Sequence, residues 1–206
     1  MNKPKISILL PTHNRPDLFT RCINSILYAN EIYHMDIEII VNNDTCDIQE
    51  IESNMIRYIY YSSNNLSKIY EKLFVEARGE FIYYLEDDDY MHEYFFKKLD
   101  LSKDINYMNY KRFDLAPINY ITHMKNFEIE KINQDFQLSQ ILFKKSLLDI
   151  WEFPQDNNLH NDWKIFDTIR DRGDIHIIKH MMFTQTIDGN DNISFPKLNK
   201  DNRWIS

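Results

Sequence analysis

The sequence of 206 residues contains little glycine, with three residues in the whole chain. Gly-rich loops, whose backbone amides cradle phosphates in many nucleotide-binding proteins, are therefore excluded. Cysteine is equally scarce, and Cys22 and Cys46 are too few for a disulfide scaffold. We expect both to be reduced thiols that serve packing and not metal binding.

Long hydrophobic runs are also missing from the sequence. No uncharged apolar run approaches the roughly 18 residues that a membrane span needs. The short run at residues 6–10 is stopped by Pro11, His13 and Arg15 before it could act as a signal peptide. We therefore expect a cytoplasmic protein without a transmembrane segment.

Positive charge is in deficit, because 24 Lys and Arg stand against 32 Asp and Glu, which gives a formal net charge of −8. This balance argues against an extended nucleic-acid surface. A chain this acidic needs an imported cation to hold phosphate. With 43% hydrophobic and 27% charged residues, the composition favours one compact globular domain over residues 1–206.

The first half of the chain alternates short apolar runs with amphipathic helical patterns. This alternation predicts an α/β fold with a mostly parallel central sheet and helices on both faces. We expect Gly79 to supply a left-handed cap after the second helix. The predicted strands are residues 6–10, 37–41, 56–60 and 81–85, and the predicted helices are 17–29 and 66–77.

The second half has weaker periodicity. The segment 104–134 mixes Tyr, Asn and charge, which indicates short strands and loops. Helical patterns return at 146–151 and 162–172, and residues 175–178 read as an edge strand.

Polar side chains follow three of the predicted strands. In an open parallel sheet ligands bind beyond the carboxyl ends of the strands, so these positions predict the functional site. They are Thr12, His13, Asn14 and Arg15 after the first strand, Asn42, Asn43 and Asp44 after the second, and Glu86, Asp87, Asp88 and Asp89 after the fourth.

Four consecutive carboxylates at residues 86–89 follow a strand that is too apolar for the surface. Adjacent like charges raise one another's pKa unless a cation lies among them. Hard oxygen ligands suit Mg²⁺ or Mn²⁺, which bind through one or two carboxylates and complete their coordination with water and substrate phosphates. The alternative is a solvated acidic turn, which is what most runs of Asp are.

Five segments in this order resemble the successive motifs of family 2 glycosyltransferases with the GT-A fold. They are residues 6–15, 37–47, 78–91, 142–146 and 161–166. The resemblance implies an inverting, metal-dependent enzyme, with a hexosyltransferase favoured. It would move a sugar from a UDP-sugar, with UDP-glucose as the first guess, to a carbohydrate or other acceptor hydroxyl, with Mn²⁺ or Mg²⁺ as cofactor. Residues 1–100 would form the nucleotide-binding half and residues 101–206 the acceptor-side half.

The resemblance also implies roles for individual residues. The base and ribose would be flanked by Thr12, Asn14 and Arg15, and the uracil edge would be bound by Asn43 or Asp44, although the two Asp followed by Gly of many relatives are missing here. Lys68 or Lys72 would replace an Arg that steadies the phosphates. The predicted nucleotide-binding set is Pro11, Thr12, Asn14, Arg15, Asn43, Asp44, Lys68 and Asp87.

In the resembled family the AspXAsp element binds the metal and the Asp of a late GluAsp pair is the base. Asp88 is the expected metal ligand, with Asp89 supporting and Asp188 as a further oxygen ligand. Asp162 is the expected catalytic base, and Asn161 stands where the family has Glu. A structural alternative for Asp162 is a helix cap.

Two other functions stay open at this point. A metal-dependent nucleotidyltransferase would also use clustered carboxylates, but it needs strongly basic residues near a triphosphate and the first half offers few. A noncatalytic module that binds nucleotide sugars or glycans would keep the fold and lack a working base.

Overall fold

The computed structural model describes residues 3–45, 48–114, 137–156 and 161–187. Within these ranges the chain alternates strands and helices over its first half, as predicted. The elements are β1 Ile6–Thr12, α1 Pro16–Tyr33, β2 Ile37–Asn43, β3 Ile56–Ile59, α2 Leu66–Glu76, β4 Phe81–Tyr84, β5 Tyr90–Met91, α3 Phe95–Lys98, β6 Ile105–Asp114, β7 Ile141–Lys144, α4 Asn161–Arg170 and β8 Ile175–Ile187.

These strands form one sheet in the order β3-β2-β1-β4-β7-β6-β8-β5. The first four strands of this order run parallel to one another, and β6 runs parallel to β8. β7 is antiparallel to both of its neighbours, and β5 is antiparallel to β8. The predicted α/β architecture with a mostly parallel sheet is confirmed.

The sheet separates two hydrophobic cores, because successive side chains of a strand point to opposite faces. Ile8 and Leu10 of β1 pack into the core that contains α1 and α3, whereas Leu9 packs into the core with α2 and α4. All three side chains are fully buried. Helices therefore cover both faces, and β1 is the doubly buried strand that its apolar run predicts.

The second half departs from the sequence predictions in two places. The strand expected at the edge is instead the longer β8, which lies between β6 and β5 inside the sheet. The helix expected at 146–151 is wrong, since this segment forms two single 3₁₀ turns, Lys145–Leu147 and Ile150–Glu152. In the segment 104–134 the structure gives the ten-residue strand β6, and residues 115–134 lie outside the described ranges.

Within the described ranges, no helix combines the length and the apolar character that crossing a membrane requires.

Gly79 is needed for close packing and not for a left-handed cap, so that prediction is wrong. Helix α2 ends at Glu76, and Ala77 is already extended with φ −66° and ψ 133°. A Cβ on Gly79 would lie 2.5 Å from the backbone nitrogen of Ser7 and 2.6 Å from its Oγ. The Gly79 amide donates to that Oγ at 2.7 Å, so the loop before β4 lies directly against β1.

A buried acid anchors the same end of the sheet. Ser7 Oγ donates to Glu38 Oε1 at 2.6 Å, and the Arg78 guanidinium binds Glu38 Oε2 at 2.8 Å. Burial opposes the charge on Glu38, but hydrogen bonds from Ser7 and Arg78 outweigh it and lower the pKa of this carboxyl. This network ties β1, β2 and the start of β4 together on the side opposite the predicted site.

We expect Gly79→Ala to lower the free energy of unfolding by about 1–3 kcal/mol, the usual cost of forcing extra volume into a packed position. The added methyl group would contact backbone atoms of β1, which cannot move aside as a flexible side chain can. Urea unfolding followed by circular dichroism measures the change, with Ser62→Ala in an exposed loop as control. An unfolding free energy equal to that of the unchanged protein would contradict this account of Gly79.

Candidate active site

The four carboxylates of residues 86–89, here called the acidic turn, lie directly after β4 at the carboxyl edge of the sheet. The Asp89 amide donates to the Glu86 carbonyl at 3.0 Å and closes the turn. Asp87, Asp88 and Asp89 are only 4%, 1% and 1% exposed. The alternative of a solvated acidic turn is therefore wrong.

One face of α1 fixes the backbone of the acidic turn. Arg21 donates from Nη2 to the backbone carbonyl of Asp88. One helical turn later, Ser25 Oγ accepts a 2.9 Å hydrogen bond from the Met91 amide. Side chains that a helix presents at i and i+4 thus hold the second half of the turn and the residue pair after it.

Cys22 lies between these two contacts and is fully buried. Its Sγ donates to the Glu86 carbonyl at 3.5 Å, and burial together with the nearby aspartates raises the pKa of the thiol well above its usual value. Cys22 is therefore a protonated packing thiol, as predicted, whereas Cys46 lies outside the described residues.

The loop after β1 binds the carboxylates themselves. Asp87 Oδ2 accepts hydrogen bonds from Thr12 Oγ1 at 2.8 Å and from the His13 amide at 3.4 Å. The Nη1 atom of Arg15 donates to Asp87 Oδ1 at 3.1 Å and to Asp88 Oδ2 at 2.9 Å. Two carboxylates therefore converge on a single cationic nitrogen. The structure places Thr12 and Arg15 at the acidic turn.

Asp89 has a separate partner on the other side of the turn. Ser139, in the 3₁₀ turn Leu138–Gln140 before β7, donates from Oγ to Asp89 Oδ2 at 3.2 Å. Beneath it, burial and the charge of Asp89 raise the pKa of the Tyr83 phenol well above its usual value. Asp89 is thus directed toward the sheet, which suits a supporting role.

The position of Asp162 is linked electrostatically to the acidic turn. Asp162 lies in the first turn of α4, and its Oδ1 accepts a 3.0 Å hydrogen bond from the Trp163 amide. Burial raises the pKa of Asp162 to about 7. Burial, followed by the charges of Asp88 and Asp162, raises the pKa of Glu86 to about 8. Asp162 therefore lies close enough to the acidic turn for the charges to interact, and it also satisfies a free amide of its helix.

The loops after β1 and β2 contact each other at the same edge. His13 Nδ1 lies 2.9 Å from Asp44 Oδ1, and the Asn14 amide donates to Thr45 Oγ1 at 3.3 Å. Asn14 adopts a left-handed conformation with φ 52°, which asparagine tolerates better than most residues. These contacts close the loop that carries Arg15 against the second strand end.

Asn43 and Asn42 have different surroundings. Asn43 is buried beside Thr12, its register partner on β1, and so lies one strand away from the acidic turn. The Asn42 side chain donates a hydrogen bond to the Tyr61 carbonyl and accepts one from the Tyr61 amide, both at 3.0 Å. Asn42 is therefore structural, and Asn43 and Asp44 are the members of this segment that lie with the site.

The remaining predicted residues are less closely placed. Lys68 lies in the first turn of α2 with an exposed side chain, and Lys72 binds Glu76 at 2.8 Å. Pro11 is half-buried near the end of β1. Asp188 lies outside the described residues, so its predicted contact with a metal stays a prediction.

The chemistry of the site fits a divalent cation that is held mainly by two aspartates. Among the described residues, no group of three or more His, Cys, Asp or Glu side chains is arranged to hold a metal ion. Asp87 and Asp88 nevertheless direct two hard oxygen ligands at one point, which the positively charged Arg15 guanidinium occupies in place of a metal ion. Mg²⁺ and Mn²⁺ commonly bind through one or two carboxylates and take their other ligands from phosphates and water.

Three contributors to the site were missed from the sequence. Arg21 and Ser25 occupy positions in an amphipathic helix that periodicity alone assigns to packing or solvent, and Ser139 lies beyond any periodic segment. The prediction that Arg15 flanks the base and ribose did not include its contact with the acids. A basic residue after β1 and acids after β4 are the signal for that pair, because these two strands are neighbours in such a sheet.

The model of glycosyl transferase family 2 matches residues 7–148, which is more than half of the chain. The crystal structure of S. aureus TarS 1-349 is similar with a TM-score of 0.64, at 16% identity over 88% of this chain and 60% of that chain. The same TarS fragment in complex with UDP-GlcNAc gives a TM-score of 0.63, at 16% identity over 91% of this chain and 60% of that chain. No curated protein matches the sequence.

This chain spans about 60% of the length of those TarS fragments. At such low identity the likeness concerns the fold, and it confirms the expected GT-A type of architecture. The family match covers β1, β2, the acidic turn and Ser139, which together form most of the site. The chain therefore belongs to glycosyl transferase family 2.

Proposed function

We propose that the protein is an inverting glycosyltransferase that moves a sugar from a UDP-sugar to an acceptor hydroxyl with the help of a divalent metal. The observation that carries the proposal is the buried acidic turn, in which Asp87 and Asp88 converge on one cationic nitrogen at the carboxyl edge of the sheet. Membership of the family supports the transferase class. The TarS structures with UDP and with UDP-GlcNAc support a uridine nucleotide as donor.

In this proposal the donor nucleoside binds across the ends of β1 and β2. Uracil presents one donor between two acceptors, which an amide or a carboxylate at this edge can satisfy. Asn43 is buried there and Asp44 is within hydrogen-bond distance of His13. Pro11 lies near the end of β1, and Asn14 lies in the loop that follows it. Lys68, in the first turn of α2, would approach the phosphates.

The metal in this proposal is Mn²⁺ or Mg²⁺, held by Asp88 and Asp87, with Asp89 fixed by Ser139 in support and Asp188 as an additional ligand. When bound, the metal would stabilise the negative charge on the departing diphosphate. The protein contributes a dry and rigid setting for that charge, because the three aspartates are buried and α1 fixes their backbone. Charges in such an excluded site interact more strongly than in water.

Asp162 is the proposed catalytic base. Its pKa of about 7 leaves a large fraction of the carboxylate free to accept a proton near neutral pH. The proton of the acceptor hydroxyl would move to this carboxylate while the hydroxyl oxygen attacks the anomeric carbon. Attack from the side opposite the leaving diphosphate inverts the configuration. A cytoplasmic location and a hexosyl donor stay predictions.

We expect the matching UDP-sugar to raise the melting temperature more with Mn²⁺ than without it. At one hundred times Kd the shift should be roughly 5–10 °C for a chain of this size. The panel should include UDP-glucose and UDP-GlcNAc, and thermal shift and donor hydrolysis are the measurements. Asp88→Asn should lose the part of the shift that depends on metal. Asp167→Asn, an exposed aspartate that pairs with Arg170 on α4, should keep it.

Two results would contradict the donor assignment. One is a panel in which no nucleotide sugar gives a larger shift with metal. The other is release of pyrophosphate from a nucleoside triphosphate in the presence of metal, which is the reaction of a nucleotidyltransferase.

We expect Asp162→Asn to lower kcat by about 10²–10⁴-fold, the usual contribution of a general base. Donor binding should persist, because Asp162 is not placed among the donor contacts. In the unchanged protein kcat should rise with pH through about 7, since the base works only when deprotonated. Asp167→Asn on the same helix is the matched control. Unchanged turnover of the Asp162 variant would support a noncatalytic module or a different base.

The same carboxyl predicts a dependence of stability on pH. Burial raises the pKa of Asp162 to about 7, above the value of about 3.9 that an unfolded Asp has. Its contribution to stability is therefore complete below pH 3.9 and is lost as the pH rises through 7. We expect Asp162→Asn to melt at a higher temperature than the unchanged protein at pH 8, with a smaller difference at pH 5. Equal differences at both values would show that Asp162 acts only as a helix cap.

A further inference from the structure

We propose that Arg15 is an exchangeable counterion, which holds the metal-binding carboxylates together before the metal arrives and moves to the donor diphosphate when the metal takes its place. This inference rests on the proposed function. It assigns to Arg15 a coupling role between metal and donor in place of a contact with the base or ribose.

Arg15 contacts both of the carboxylates that the proposal gives to the metal. A single nitrogen, Nη1 of Arg15, lies 3.1 Å from Asp87 Oδ1 and 2.9 Å from Asp88 Oδ2. The Arg15 side chain is 15% exposed, whereas the Asp88 side chain is 1% exposed. The guanidinium therefore closes the acidic turn at the side that faces solvent, where a ligand would enter.

The acidic turn contains three buried aspartates. Buried carboxylates without a compensating cation destabilise the folded protein. Removing one partner of a buried ion pair is therefore strongly destabilising, because the other charge stays buried and uncompensated. Arg21 also reaches the turn, where it donates to the backbone carbonyl of Asp88. The guanidinium of Arg15 pairs with both carboxylates that the proposal gives to the metal and so compensates their charge.

The Arg15 guanidinium and a divalent cation would compete for the same two carboxylates. A divalent cation bound to Asp87 and Asp88 would lie against the Arg15 guanidinium, and like charges in a poorly hydrated site repel strongly. Metal binding must therefore displace the guanidinium. In the absence of donor this displacement weakens the binding of metal.

The backbone of Arg15 allows such a movement of the side chain alone. Its carbonyl accepts the first hydrogen bond of α1, from the Phe19 amide at 2.9 Å. Its φ of −138° and ψ of 60° are not helical, and the side chain makes no capping bond to α1. The side chain can thus leave the carboxylates without disturbing the helix.

A diphosphate is a suitable new partner for the displaced side chain. Guanidinium groups bind phosphate oxygens through paired charge-assisted hydrogen bonds. The donor would bring its diphosphate to the same edge of the sheet together with the metal. Exchange of Arg15 from carboxylate to phosphate then makes metal and donor favour each other, and this coupling must be reciprocal.

The test measures Mn²⁺ binding without catalysis, by electron paramagnetic resonance of free Mn²⁺ in titrations with and without UDP. The proteins are the unchanged chain, Arg15→Gln, Arg15→Lys and Arg57→Gln. Arg57 is the matched control because it pairs with Glu76, away from the acidic turn, on the strand β3 at the sheet edge.

We expect Arg15→Gln to bind Mn²⁺ alone at least tenfold more tightly than the unchanged protein. UDP tightens Mn²⁺ binding by some factor in each protein, and this factor should be at least fivefold smaller in the variant than in the unchanged protein. Arg15→Lys keeps one positive charge, so its Mn²⁺ affinity should lie between those of the unchanged protein and Arg15→Gln. Arg57→Gln should behave as the unchanged protein.

Thermal melting supplies a second measurement that does not depend on UDP. Arg15→Gln should melt at a lower temperature without metal, because its buried aspartates have lost a cation. Mn²⁺ alone should raise the melting temperature of this variant by more than it raises the melting temperature of the unchanged protein.

The outcomes separate the two proposals. If the unchanged protein binds Mn²⁺ in the presence of UDP and Arg15→Gln binds Mn²⁺ alone equally or more weakly, the counterion role of Arg15 is overturned while the proposed function stands. If no form binds Mn²⁺ even with UDP, the proposed metal site and the role of Arg15 both fall. Should Arg15→Gln fail to fold, an Arg15→Lys affinity no greater than that of the unchanged protein overturns the counterion role.

Discussion

The burial of three adjacent aspartates is the constraint on which the rest of this structure depends. Each buried carboxylate is costly unless hydrogen bonds or opposite charges compensate it. Asp87 accepts hydrogen bonds from Thr12, the His13 amide and Arg15. Asp88 accepts one from Arg15, and Asp89 accepts one from Ser139. These partners come from the end of β1, the loop after it and the turn before β7, so the acidic turn constrains how these segments are placed.

Parallel strand topology makes this arrangement possible. The contacts between Thr12 or Arg15 and the acidic turn join residues more than 70 positions apart in sequence. They are close in space because β1 pairs with β4 in register, so that both strands end at the same edge. On the other side of β1, the parallel pairing with β2 places Asn43 beside Thr12. The opposite edge has the Ser7, Glu38 and Arg78 network, which stabilises the sheet and leaves the carboxyl edge for chemistry.

Apolar runs and strand ends were sufficient to predict the first half of the fold and the centre of the site. The doubly buried strands and the carboxylates of the acidic turn are local patterns, and local patterns can be read from one sequence. The partners could not be read in this way. Ser139 and Arg21 act through contacts across the fold, and Gly79 is required because β1 approaches its Cα, which no property of residues 77–81 reveals. Likewise β8 has an ordinary apolar pattern, and its interior position follows from pairing with β6 and β5.

The environments of the carboxylates differ in a way that suits two kinds of chemistry. At Asp87, burial raises the pKa above its usual value, although the charge of Arg15 and the hydrogen bond from Thr12 oppose part of this rise. At Asp162, burial is opposed only by backbone amides, and the pKa reaches about 7. A cation partner favours a permanent carboxylate, which can bind metal, whereas burial without a cation favours a group that exchanges protons near neutral pH. Under the proposed function, the contact of Arg15 with Asp87 and Asp88 therefore favours the charged form of the acids that would hold the metal, whereas Asp162, with a pKa of about 7, would be the base.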